Sequence, residues 1–107
     1  MDIKNLAEEL GLEENDALRL VRTFIGTTEQ DLLLLEQAIA DQDADQVRRL
    51  AHHIKGAASN LELSDIAEAA RTIEEMGRSN SFEDIEPQVT AVRSGLDSIR
   101  VDMISKD

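Results

Sequence analysis

The sequence predicts an all-α fold: an antiparallel up-down-up-down four-helix bundle with a short additional N-terminal helix. Three observations carry this. Apolar residues recur at three- and four-residue spacing in every long segment. The composition is rich in Ala, Leu, Glu, Gln and Arg, with two Phe, no Trp or Tyr and a single proline. The breaks between the periodic segments are short, so consecutive helices must run antiparallel.

Residues 2–10 read as a short helix capped by Asp2, with Ile3, Leu6 and Leu10 on its apolar edge and Gly11 at its end. Too short to stand alone, it must lie on the bundle. Residues 14–25 carry Ala17, Leu18, Val21, Phe24 and Ile25 at helical spacing. Gly26 then interrupts, and Thr27 with Gln30 resembles a capping box, so a kink or a new helix is expected there. The run Leu32 to Leu35 covers more than one face of a helix. It predicts a central helix touching two neighbours, or one leucine left for a partner. Asp43 and Gln46 form a second capping box, opening a helix from about residue 44 to about residue 60. Its buried stripe is Val47, Leu50, Ala51, Ile54, Ala58 and Leu61.

Ser64 or Asp65 is expected to cap the next helix, whose stripe is Ile66, Ala69, Ala70, Ile73 and Met76 and which Gly77 should stop. A polar loop from Gly77 to Ser81 follows. The last helix starts near residues 82–84, tolerates Pro87 in its first turn, and continues to the C-terminus along Ile85, Val89, Val92, Leu96, Ile99 and Met103. Neither a repeat nor a long linker divides the 107 residues, so one domain over 1–107 is expected.

Charge and composition exclude several function classes. With 11 basic against 23 acidic residues the formal charge is -12, which repels nucleic acid and anionic lipid. No cysteine is present, so thiolate chemistry and disulfides are absent. Two adjacent histidines without cysteine cannot make a zinc site. The sequence has no glycine-rich nucleotide loop. No apolar run reaches the roughly 18 residues of a membrane span, so a cytoplasmic protein is the expectation. The leucine-rich helix offers a surface for a dimer, and a monomer is the simpler expectation.

The candidate site is the stretch Ala51-His52-His53-Ile54-Lys55-Gly56, which holds both histidines of the chain. His52, Lys55, Gly56 and Ser59 share one side of the helix, opposite the apolar stripe. Spacing alone leaves open an exposed surface histidine with no role. Three features favour function. The His52 ring should reach solvent. Arg48 and Lys55 flank it, and cations there favour the neutral, nucleophilic ring and attract phosphoryl oxygens. Gly56 sits mid-helix, where it costs roughly 1 kcal/mol against alanine, which suggests close approach by another molecule or crowding by another helix. His53 points further round, toward Arg49 and Asn60, as an exposed neighbour.

The run Ala51-His52-His53-Ile54-Lys55-Gly56-Ala57-Ala58-Ser59-Asn60-Leu61 resembles the signature of histidine-containing phosphotransfer (HPt) domains. The resemblance extends over nearly the whole chain. It implies that His52, not His53, is the phosphoacceptor. Lys55 would then help hold the phosphoryl group, and Gly56 would leave room beside the ring. Arg48 matches a position that is often polar or basic, with a steering or phosphoryl-contact role, and Ser59 is a candidate face contact. The departure is Glu62, where many members have glycine. The implied function is a phosphorelay intermediate that accepts a phosphoryl group from a receiver-domain aspartyl phosphate and passes it to another receiver. The partner receiver would belong to a hybrid histidine kinase or a response regulator. No cofactor is expected in this chain; the Mg2+ belongs to the receiver. The chain is then a phosphocarrier and not a kinase. The alternative class is a non-phosphorylated bundle that docks a receiver domain or kinase.

Overall fold

The computed structural model describes residues 1–105. Five helices follow in order: α1 (Ile3–Leu10), α2 (Glu14–Ala40), α3 (Ala44–Asn60), α4 (Ser64–Ser79) and α5 (Ile85–Ser105). Helices α2 to α5 form the four-helix bundle, and α1 packs on α2. The molecule is elongated along the bundle axis, 41 × 23 × 18 Å. Residues 106–107, over which the sequence pattern continues the last helix, lie outside the described residues.

The predicted stripes form the core, except Leu10 of α1, which is 36% exposed. Val21, Leu35, Val47, Ala51, Ile54, Ala70, Ile73, Val89, Val92 and Leu96 are all buried to within about 1% of their surface. Leu50, Met76 and Met103 pack at its edge. The side chains of Asp2 and Asp43 accept the backbone N–H of Asn5 and Gln46, at 3.1 and 3.2 Å, and so cap α1 and α3 as expected.

Four expectations are corrected. Helix α2 runs unbroken through Gly26 and Thr27, because Phe24, Ile25 and Thr28 are buried on either side of them and hold the segment helical. Helix α2 does touch α1, α3 and α5, but of the leucine run only Leu32 and Leu35 are buried, and two leucines rather than one, Leu33 and Leu34, are 64% and 57% exposed. No side chain caps α4: Leu63 holds the cap position, and Ser64 is already helical. Gly77 does not stop α4 but lies buried within it, and a Cβ there would meet the backbone N of Arg48 at 2.7 Å. Gly77 therefore lets α4 lie against the backbone of α3, an approach that a side chain at this position would block.

The helices end by a shared device. At the ends of α1 to α4, Gly11, Gln42, Glu62 and Asn80 adopt left-handed backbone, with φ between 53° and 69°. At each of these ends two reversed backbone bonds close the last turn. At the end of α3 they run from the N–H of Glu62 to the Ser59 carbonyl and from the N–H of Leu63 to the Ala58 carbonyl, at 3.0 and 2.9 Å. Glu62 thus occupies the position that glycine fills most easily, and the turn keeps its form without glycine.

Candidate functional site

Helix α3 lies between α2 and α4, so consecutive positions on its outer side face different neighbours. His52 leans toward α4 and His53 toward α2. The Nδ1 of His52 is 2.8 Å from Oε2 of Glu74 on α4. The Nδ1 of His53 is 2.6 Å from Oδ2 of Asp31 on α2, and His53 lines one groove with Asn60, the side toward which the spacing pointed it. Each carboxylate is largely buried, with side-chain exposures of 5% for Glu74 and 14% for Asp31.

Glu74 organises the site. Its Oε1 takes the ammonium of Lys55 at 2.6 Å, and Arg78 stands 3.6 Å from Oε2. Burial pushes the Glu74 carboxyl pKa up, but the bonds from Lys55 and His52 outweigh this and hold it below the ordinary value. The carboxylate is therefore ionised and can only accept, so Nδ1 of His52 must carry the hydrogen. In the neutral ring this leaves the lone pair on Nε2. The His52 side chain is 66% exposed. The spacing places Arg48 and Lys55 around the ring; what touches it is a carboxylate, and of those two cations only Lys55 is bound to that carboxylate.

The other predicted residues sit as follows. Gly56 is exposed, and a Cβ there would meet nothing within 4 Å, so no helix of this chain requires a glycine at that position. Arg48 pairs with Asp45 at 2.9 Å, one turn back along α3, and not with the His52 network. Ser59 is exposed two turns beyond His52, outside that network. On the α2 side, His53 borders an apolar groove of about 560 Å³ lined by Leu10, Leu12, Leu20, Phe24 and Ala57. Among the described residues no group of three or more His, Cys, Asp or Glu could hold a metal ion.

Glu74 and Arg78 are not among the residues the sequence singles out. A signal for Glu74 was available: it continues the buried stripe Ala70, Ile73 and Gly77, and an acidic residue in such a stripe must have partners.

The family model for the Hpt domain matches residues 19–102. The chain belongs to the Hpt domain family. Hpt domains are phosphocarriers that interact with receiver domains in phosphorelays, and membership gives this chain a histidine-phosphotransfer role. Among solved structures it is similar to histidine-containing phosphotransfer protein B (HptB) from Pseudomonas aeruginosa PAO1. The two are 24% identical with a TM-score of 0.85, over 99% of this chain and 92% of that one, a likeness that carries the fold. A comparison with curated proteins found no match. Among the described residues no helix of this Hpt domain is long and apolar enough to cross a membrane.

Proposed function

We propose that this Hpt domain accepts a phosphoryl group on Nε2 of His52 from the aspartyl phosphate of a receiver domain and passes it to a second receiver. The observation that carries this reading is the 2.8 Å bond between Nδ1 of His52 and the buried Glu74 carboxylate. It fixes the tautomer whose Nε2 lone pair points outward.

The step then balances without a general base. As the Nε2–P bond forms, the P–O bond to the receiver aspartate breaks, and that aspartate leaves as a carboxylate. The ring keeps its Nδ1 proton and becomes cationic, and the new positive charge lies directly against Glu74. Lys55, 30% exposed at the edge of the network, turns from Glu74 toward a phosphoryl oxygen. The open space over Gly56 admits the receiver to the ring. Arg48 steers the acidic receiver pocket, and Ser59 lies on the docking face. The receiver supplies the Mg2+ and the acyl phosphate; this chain supplies a positioned nucleophile, needs no cofactor of its own, and works as a cytoplasmic monomer.

Phosphopeptide mapping at neutral or alkaline pH tests the assignment. His52→Gln should abolish acid-labile phosphate, and His53→Gln should leave it. Phosphate mainly on His53 refutes the register, and none on either histidine favours the non-phosphorylated docking module.

A further inference from the structure

The transfer chemistry leaves the second imidazole, His53, without a part. Its Nδ1 stands 2.6 Å from Oδ2 of Asp31, across the contact between α3 and α2. Asp31 is 14% exposed, and among the described residues His53 is the one ion-pair partner it has. Glu74 differs, since it also holds Lys55 and Arg78. A largely buried carboxylate with no cation of its own depends on its imidazole. The carboxylate accepts, so the shared hydrogen sits on Nδ1, and the neutral ring keeps its lone pair on Nε2. The His53 side chain is 59% exposed. The surface beside it is unlike the rest of the chain. Of the six large apolar side chains that stand exposed among the described residues, Leu10, Leu12 and Leu20 line the groove that His53 borders. No Asp, Glu, Lys or Arg lines it, although the chain has 11 basic and 23 acidic residues. An apolar groove of this kind takes an apolar partner, and its few polar groups set the orientation. A protein docked on His52 covers about 800 Å² of surface, enough to take in the adjacent residue and its groove.

We propose that His53 is a specificity-determining residue for the receiver, and that Asp31 is a positioning residue acting through it. Nε2 of His53 accepts a hydrogen bond from an N–H or O–H of the docked receiver, beside an apolar side chain seated in the groove. The receiver that fits presents a donor next to an apolar residue. One that presents a carboxylate there sets acceptor against acceptor and is rejected. This assignment rests on a receiver docking over His52 as the acceptor.

The test compares two donors on the full chain. One is a receiver domain, phosphorylated with acetyl phosphate, that transfers to the parental protein. The other is phosphoramidate, which has no docking surface; as Nε2–P forms on His52, its P–N bond breaks and ammonia leaves. An asparagine at 53 ends near Nδ1, so His53→Asn can still donate to Asp31 but has no distal acceptor. A glutamine reaches about as far as Nε2 and can accept there. His53→Asn should raise the half-saturating receiver concentration about two- to tenfold, the range of one neutral hydrogen bond. The limiting transfer rate and the phosphoramidate rate should stay parental. His53→Gln should recover part of the loss. Asp31→Asn should weaken half-saturation likewise, and ¹⁵N NMR of the His53 ring should show its hydrogen no longer confined to Nδ1. Circular dichroism checks each fold. Parental half-saturation in His53→Asn overturns the role of the ring, and in Asp31→Asn that of the carboxylate. A loss that His53→Gln shares in full makes the pair a clasp between α2 and α3 and overturns the assignment. No phosphate on His52 from phosphoramidate in the parental protein would instead overturn the acceptor reading, and this assignment with it.

Discussion

Replacing Glu74 by glutamine separates the two things its carboxylate does for His52. The amide keeps an oxygen that can accept from Nδ1, so the tautomer can survive; the negative charge does not. A hydrogen bond to a charged partner is worth about 1.5–3 kcal/mol and a neutral one about 0.5–1.5 kcal/mol. The ring is 66% exposed, which screens the long-range part of the loss. The difference as the ring becomes cationic is therefore about 1–2 kcal/mol, or roughly a five- to thirtyfold slower transfer. Glu74→Ala removes the tautomer lock as well and should be slower still. Single-turnover transfer from a phosphorylated receiver measures the rate, and ¹⁵N NMR of the ring nitrogens reads which one carries hydrogen. The same residue predicts a pH effect. Its folded pKa is depressed, so between the folded and unfolded pKa values the unfolded chain binds more protons. The carboxylate thus stabilises the fold above its unfolded pKa, and that contribution is lost as pH falls through the folded pKa. Denaturation midpoints of parent and Glu74→Gln should converge from their neutral-pH difference across that acid range. Parental transfer rates in both variants, or a parental ring protonated on Nε2, would refute the reasoning.

Three further outcomes are expected. Lys55→Ala should slow transfer about ten- to a hundredfold at low and high salt, because its bond forms at short range. Arg48→Ala should do less and lose its effect with salt, since Arg48 is tied to Asp45 and the proposed role left to it is steering; single-turnover rates at two salt concentrations check both. Gly56→Ala should leave the bundle folded and more stable by a few tenths to about 1 kcal/mol, because its Cβ meets nothing, yet slow transfer, with Gly56→Leu slower again. Denaturant midpoints and transfer rates should move in opposite senses, and unchanged transfer in both variants would remove the steric role.

Helical stripes were legible because they depend on local spacing alone: the α3 stripe from Val47 to Leu61 lies in the core except for Leu50 at its edge. Helix ends were less so. A glycine marks a stop only if the chain needs left-handed backbone there, and that need is set by where the next helix must go. Gly26 and Gly77 keep helical backbone, while Gln42, Glu62 and Asn80 turn left-handed without glycine. The two reversed hydrogen bonds at each of those ends offset a strain of roughly 1–2 kcal/mol. Gly77 carried a different message, a backbone contact with a residue 29 positions earlier, which no local window holds.

The site divides the same way. His52, Lys55 and Gly56 belong to one helix, so periodicity groups them; Glu74 and Arg78 come from another, so only the packing of α4 on α3 adds them. That packing also bears on the choice between adjacent histidines, independently of any motif. Each holds a carboxylate through Nδ1 and is more than half exposed, so the two rings are held alike. Their surroundings differ. Beside His52 two cations stand on the shared carboxylate, and the helix surface is open at Gly56. Beside His53 lies a groove walled by Leu10, Leu12, Leu20 and Phe24. A phosphoryl group carries close to two negative charges, which a cation pair stabilises and an apolar wall does not. The hydrogen bond makes either ring a nucleophile; the cations favour His52 as the one that holds the product.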